Sequence, residues 1–159
     1  MHHKALVVEE KILGEDHKHT AISYSNIASV MQEKGDLDGA LTMHHKALAV
    51  KEKVYGEDHT STAISYNNIA LVMEAKGDLD NALTMYYKAL AVKEKVYGKE
   101  HSSTSITYWN TGRLLEDMGD IDAALEMFTK TLTAEEKITK RPSQLKRRYQ
   151  ASNYKGRND

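Results

Sequence analysis

The chain has 159 residues, no Cys and a net charge of −1, from 22 Lys and Arg against 23 Asp and Glu. Without Cys there is no disulfide framework, no thiolate nucleophile and no Cys-ligated zinc. No apolar run approaches the ~20 residues that span a bilayer, and no hydrophobic segment of a signal peptide is visible, so we expect a soluble cytoplasmic protein.

The opening segment MHHKALVVEEKILGEDH returns as MHHKALAVKEKVYGEDH from residue 43, as MYYKALAVKEKVYGKEH from residue 85 and as MFTKTLTAEEKI from residue 127. Residues 1–42 and 43–84 are identical at 31 of 42 positions, and residues 43–84 and 85–126 at 24 of 42. A period of this length is typical of a solenoid of stacked units. The opening Met-His-His is therefore part of a repeat and not an expression tag.

In chain order, the first predicted element is a helix over about 1–13, of the kind that closes each repeat. It lacks the helix that would precede it in a full repeat, so we expect the chain to be a piece of a longer array. Apolar residues of this helix, including Ala5, Leu6 and Val8, are expected to stay partly uncovered. Exposed solenoid ends can stack on one another without closing a ring, so we expect weak head-to-tail self-association.

Three helix pairs are predicted to follow, at about 18–55, 60–97 and 102–138. In the central pair, Tyr66 and Ala70 lie on one stripe at helical spacing, and we interpret such stripes as packing contacts. Gly77 is expected to end the first helix, and Asp78 to cap the second. Because the turn has only two or three residues, the two helices are expected to be antiparallel neighbours. The sequence thus predicts an all-α solenoid over 1–138.

The central repeat carries an Asn-Asn-aliphatic-Ala core at 67–70, and a Gly-Asp turn, Ala-Leu pairs and a Glu-Lys-x-x-Gly-x-x-His ending recur along the chain. They resemble the tetratricopeptide repeat (TPR), in the 42-residue form found in kinesin light chains. The resemblance covers about 1–138. It implies a right-handed superhelix of helix pairs in which the first helices line a concave groove. It also implies a non-catalytic scaffold that binds a protein or a linear peptide in that groove.

One asparagine position is the same in all three first helices, at Asn26, Asn68 and Asn110. A side-chain amide both donates and accepts hydrogen bonds, so a ladder of them can bind an extended peptide backbone. In the kinesin light chain family the matching asparagines contact bound peptide. The alternative is that each Asn bonds a neighbouring helix or turn.

The third repeat departs from the second, because Trp109 stands at the position of Asn67 and Arg113 at that of Leu71. One interpretation is a terminal repeat that must meet water, and the other is a ligand anchor. Acidic residues near the ends of the first helices favour a basic or mixed peptide. The candidate groove residues are Asn26, Asn67, Asn68, Leu71, Glu74, Trp109, Asn110, Arg113 and Glu116.

The histidines are tested as metal ligands or catalytic groups. His44 and His45 point about 100° apart on a helix, and their ladder becomes Tyr86 and Tyr87 in the next repeat, so we expect packing at the first position and no metal site. Asp58-His59 resembles two members of a triad, but its recurrence before each first helix favours a capping role. We find no catalytic residue, no phosphate-binding Gly loop and no implied cofactor.

The C-terminal tail over 139–159 carries 7 Lys and Arg and 1 Asp, a charge of +6, against −7 for residues 1–138. Three interpretations stay open: a solvated terminus, a capping helix with Leu145 and Tyr149 on the last repeat, and a contact with nucleic acid or membrane. Seven basic residues give only a nonspecific electrostatic footprint, so we expect neither nucleic acid nor a membrane as the partner. The alternative to a groove binder is a structural spacer or self-associating array segment with no groove ligand.

Overall fold

Six α-helices make up the part of the chain that the computed structural model describes, which is residue 14 and residues 17–139. No strand occurs within these residues, so the all-α prediction is confirmed. The predicted leading helix over 1–13 and the tail beyond residue 139 lie outside the described residues. The helices are α1 (Lys18–Glu33), α2 (Leu37–Tyr55), α3 (Thr60–Ala75), α4 (Leu79–Tyr97), α5 (Ser102–Asp117) and α6 (Ile121–Thr139).

Within each pair, a Gly-Asp turn reverses the chain. Gly77 has a φ of +80°, a conformation that Gly adopts without steric cost, and the backbone N–H of Asp78 donates to the carbonyl of Met73 at 2.9 Å. The side chain of Asp36 caps α2 by accepting from the N–H of Gly39 at 2.9 Å. Such a short turn leaves the two helices of a pair packed side by side and antiparallel.

Between pairs, a Gly-x-x-His connector fixes the angle at which the next first helix begins. His59 caps α3, because its Nδ1 accepts from the backbone N–H of Ser61 at 3.1 Å. The Thr62 hydroxyl donates back to the carbonyl of Gly56 at 2.8 Å, and the Tyr55 ring stacks on His59 with 4.6 Å between centroids. His17 and His101 cap α1 and α5 in the same way, which confirms the capping interpretation of the loop histidines.

Alanines and tyrosines recur together among the buried residues between helices. Tyr24, Tyr66 and Tyr108 are all buried, and a lysine ammonium lies 5.4–5.7 Å from the centroid of each ring. The packing role predicted for Tyr66 and Ala70 is confirmed. The alanines buried at these contacts are Ala28, Ala40, Ala47, Ala70, Ala82, Ala89 and Ala124.

The outer face of α6 differs from that of the earlier second helices. Leu83 of α4 is half-buried because α5 packs over α4, whereas Leu125 at the same position of α6 is 64% exposed. No helix that the structure describes follows α6. None of the described helices is both long enough and apolar enough to cross a membrane.

Candidate functional site

The three first helices present the same residue positions to solvent on one face. Counting from an isoleucine at position i, an asparagine follows at i+4 and a variable residue at i+7, so the three lie on one stripe of each helix. We call this stripe on the three helices the groove face. Its members are Ile22, Asn26 and Ser29 on α1, Ile64, Asn68 and Leu71 on α3, and Ile106, Asn110 and Arg113 on α5.

Two contacts show that neighbouring first helices lie side by side. The hydroxyl of Thr107 on α5 donates to the Oδ1 of Asn67 on α3 at 3.4 Å. Near the other end of the same two helices, Arg113 on α5 forms an ion pair with Glu74 on α3. These side-chain contacts make α3 and α5 neighbours on this face, at or beyond the ~8–10 Å between axes that directly packed helices show.

The asparagine ladder has free hydrogen-bonding capacity. Asn26 is exposed, and Asn68 and Asn110 are half-buried. Within the described part of the chain, none of the three side-chain amides makes a hydrogen bond. In this part, therefore, the three asparagines do not bond a neighbouring helix or turn. Asn67, which sequence reasoning grouped with them, instead contacts Thr107 and helps to join two repeats.

A row of isoleucines, which sequence reasoning missed, borders the asparagine ladder. Ile22, Ile64 and Ile106 are each between 49% and 59% exposed, one helical turn before the asparagine of the same helix. Together these exposed aliphatic side chains give the groove face an apolar edge that a partner could contact. The signal in the sequence is an isoleucine that recurs two residues before each buried tyrosine. Residues two positions apart on a helix do not face the same side, so the isoleucine cannot lie on the buried side with the tyrosine.

The unusual residues of α5 have separate structural roles. The Trp109 ring is half-exposed and packs against Phe128 of α6, with 5.1 Å between centroids. Gly112 faces the same phenylalanine, and a Cβ there would lie 2.8 Å from the Phe128 Cε1. The glycine therefore makes room for Phe128, while Trp109 and Arg113 remain on the solvent side.

Glu74 has partners for both of its carboxylate oxygens. One oxygen pairs with Arg113, and the other accepts from the Tyr86 hydroxyl at 3.0 Å. Burial, and next the adjacent Glu74 carboxylate, raise the pKa of Tyr86 well above its ordinary value, so the phenol remains a donor. By contrast, Glu33, Glu116 and Asp117 form no ion pair within residues 17–139. The acidic charge near this face is therefore not uniform.

Two lysines lie buried between consecutive repeats. Lys51 donates to the hydroxyl of Ser65 at 2.9 Å, and Lys93 donates to the hydroxyl of Thr107 at 2.8 Å. Burial lowers the pKa of both ammonium groups, because a charged amine is less well solvated there than in water. These lysines join α2 to α3 and α4 to α5. They are not members of the groove face, whose one cationic residue is Arg113.

His44 packs inside the first repeat, as expected for the first residue of the His-His pair, while His45 is exposed. Burial, with the nearby Lys51 charge second, lowers the pKa of His44 to about 4. Its Nδ1 is buried and has no hydrogen-bond partner. In the described part of the chain, no three His, Asp or Glu side chains converge as a metal site would require.

Comparison with known proteins places this arrangement among repeat proteins. A family model described as tetratricopeptide repeat matches residues 19–95 and 62–137. Among curated proteins, none matches the chain.

Three solved structures show the same fold. The kinesin light chain TPR-like repeats of Podosopora anserina are 20% identical, with a TM-score of 0.73 over 86% of this chain and 65% of theirs. BtubC (BKLC) from P. vanneervenii is 23% identical, with a TM-score of 0.71 over 74% of this chain and 46% of its own. MamA is 25% identical, with a TM-score of 0.62 over 79% of this chain and 64% of its own. The chain thus spans less than two thirds of each.

Proposed function

The chain belongs to the tetratricopeptide repeat family, whose repeats generally mediate protein–protein interaction without catalysis, and from that premise we propose that its groove face binds a linear peptide of a partner protein. The observation that carries the proposal is the ladder of Asn26, Asn68 and Asn110. Their amides are on one face, at equivalent positions, with no hydrogen bond to the rest of the described residues. An amide of this kind can donate to a peptide carbonyl and accept from a peptide N–H.

The size of the ladder sets the length of the ligand. Because directly packed helices have axes ~8–10 Å apart, the two intervals between first helices give a span of at least about 16–20 Å. An extended chain rises ~3.3 Å per residue, so a ligand needs at least about five or six residues to reach all three rungs. Backbone hydrogen bonds supply affinity in this mode, and side-chain contacts supply specificity.

The isoleucine row defines the apolar part of that specificity. Ile22, Ile64 and Ile106 flank the asparagines along their whole length, so a peptide on the ladder would place side chains against them. Burying an exposed aliphatic side chain contributes about 1.5–3 kcal/mol when the burial is complete. We therefore expect the ligand to carry aliphatic residues on the side that faces this row. Trp109, beside the third rung, offers a further apolar contact.

A second candidate function is a spacer or array segment with no groove ligand. It is favoured by the exposed outer face of α6, where Ile121 and Leu125 occupy positions that a following helix covers in the earlier repeats. In this case the ends of the array would carry the function, through a further repeat or a second copy of the chain.

The experiment that separates the two candidates is selection of a random heptapeptide library on the chain. The test variant carries Asn68→Ala and Asn110→Ala. The control is Asn81→Ala, an exposed asparagine on α4 that lies outside the groove face and donates only to the neighbouring Asp78 side chain. A groove binder predicts peptides that are enriched on the parent and on the control and lost on the double variant. Absence of enrichment on the parent would contradict the proposal and favour the array segment.

A further inference from the structure

Arg113 is the only arginine among residues 17–139 and the only cation on the groove face. A lone arginine on such a face would be an obvious receptor for an acidic ligand, because guanidinium groups bind carboxylates through paired hydrogen bonds. In the structure, a carboxylate of the same chain takes the place of such a ligand. The Glu74 carboxylate of the preceding repeat pairs with the guanidinium from within the same chain.

The position of Glu74 is fixed by more than the ion pair. Its second oxygen accepts from Tyr86, whose ring is completely buried, and the Glu74 side chain itself is only 15% exposed. A carboxylate held on both oxygens loses little further conformational freedom when it pairs with Arg113, and so it competes well with an incoming carboxylate. The arrangement is specific to this junction, since Leu71 stands at the position of Arg113 in the preceding repeat and Gln32 at that of Glu74.

From this geometry we infer that Glu74 acts as a built-in counter-ion that occupies Arg113 and excludes acidic peptides from the groove face. The inference rests on the proposed peptide-binding function and names the class of ligand. With Arg113 paired to Glu74, the unpaired charges at the C-terminal ends of the first helices are Glu33, Lys34, Glu116 and Asp117, which sum to a negative charge, so the complementary ligand is cationic. The specificity of the groove therefore depends on one intramolecular ion pair.

The first test measures whether Arg113 is masked, and it needs no peptide. Phenylglyoxal modification of arginine, followed by mass spectrometry of the Arg113 peptide, is compared among the parent, Glu74→Gln, Tyr86→Phe and Glu135→Gln. Glu135 is an exposed residue of α6, so its variant controls for the loss of one carboxylate. We expect Glu74→Gln to raise the modification rate about threefold or more, the size of a partly exposed ion pair, with Tyr86→Phe intermediate and Glu135→Gln unchanged. Equal rates in the parent and Glu74→Gln would overturn the inference.

The second test measures ligand preference with the same random heptapeptide library. On the parent we expect enrichment of Lys and Arg, and on Glu74→Gln a shift toward Asp and Glu that disappears in Glu74→Gln/Arg113→Gln. Representative acidic peptides should bind Glu74→Gln about fivefold more tightly than the parent, as expected for one unmasked charge pair. Asn68-dependent enrichment with the same charge preference on parent and Glu74→Gln would overturn the inference and leave the groove function standing. Absence of any enrichment on both proteins would overturn the two together.

Discussion

The burial of His44 predicts that the first repeat is sensitive to acid. His44 is 1% exposed, and its pKa is lowered to about 4 from an ordinary value of 6.5. The unfolded chain therefore takes up this proton near pH 6.5, whereas the folded chain does so only near pH 4. Between these values the unfolded state binds more protons, so the free energy of unfolding falls as the pH falls and is unaffected by His44 well above pH 6.5.

The magnitude follows from the difference between the two pKa values. Each unit corresponds to about 1.4 kcal/mol, so the full effect is about 3 kcal/mol, of which about 2 kcal/mol is lost by pH 5. This is a large part of the stability of a small domain, for which about 5–15 kcal/mol is typical. The loss is local to the contacts of α2, and in a solenoid it weakens the first repeat before the others.

The assay is urea unfolding at pH 7 and pH 5, followed by circular dichroism, for the parent and two variants. His44→Tyr introduces the residue that the second repeat carries at this position, and its hydroxyl can use Gln32 as Tyr86 uses Glu74. His45→Tyr makes the equivalent change at an exposed neighbour and serves as the control. We expect His44→Tyr to lose about 2 kcal/mol less than the parent between the two pH values, and His45→Tyr to behave as the parent. Equal acid sensitivity in His44→Tyr and the parent would refute the reasoning.

Three further changes have predicted outcomes. Gly112→Ala should lower the free energy of unfolding by about 1–3 kcal/mol in urea unfolding, because the new Cβ meets Phe128. Gly112→Ala/Phe128→Leu should recover part of this loss. An unchanged unfolding midpoint for Gly112→Ala would contradict the prediction. His59→Ala should cost about 1 kcal/mol through the lost N-cap of α3, while His59→Asn, which can also accept from the backbone, should cost less; equal losses would argue against capping. The triple change Ile22→Ser/Ile64→Ser/Ile106→Ser should shift the free energy of unfolding by at most ~0.5 kcal/mol per site, because the three side chains are exposed. It should nevertheless abolish enrichment in the peptide selection. Retained enrichment would show that the isoleucine row does not contact the peptide.

The fold could be predicted from the sequence because each local signal is repeated and agrees with the others. Gly77 marks the end of a helix, Asp78 the start of the next, and Tyr66 with Ala70 the buried side. These signals act over a few residues, so the bounds of the helices follow from chain-local chemistry. The same holds for His59, whose recurrence beside an acidic residue before a helix pointed to a cap and not to catalysis.

The site was harder to predict because it depends on contacts between repeats. Sequence reasoning treated Glu74 as free acidic charge and Arg113 as a free anchor, whereas they lie 39 residues apart and pair with each other. It also grouped Asn67 with Asn68, although adjacent residues on a helix point in different directions and only Asn68 lies on the groove face. Which carboxylate meets which guanidinium across two helices depends on the register of neighbouring repeats, and no single repeat contains that information.

The connectors between repeats make the number of repeats easy to change. The chain leaves α2 at Gly56 with φ and ψ of +86° and 166°, and it leaves α4 at Gly98 with +83° and 167°, so the two exits are interchangeable in geometry. A deletion or duplication of 42 residues between these glycines creates no backbone connector that the fold does not already contain. The number of repeats can therefore change, in evolution or by engineering, without a new loop conformation. On the proposed function, each added unit would lengthen the bound peptide by a fixed increment.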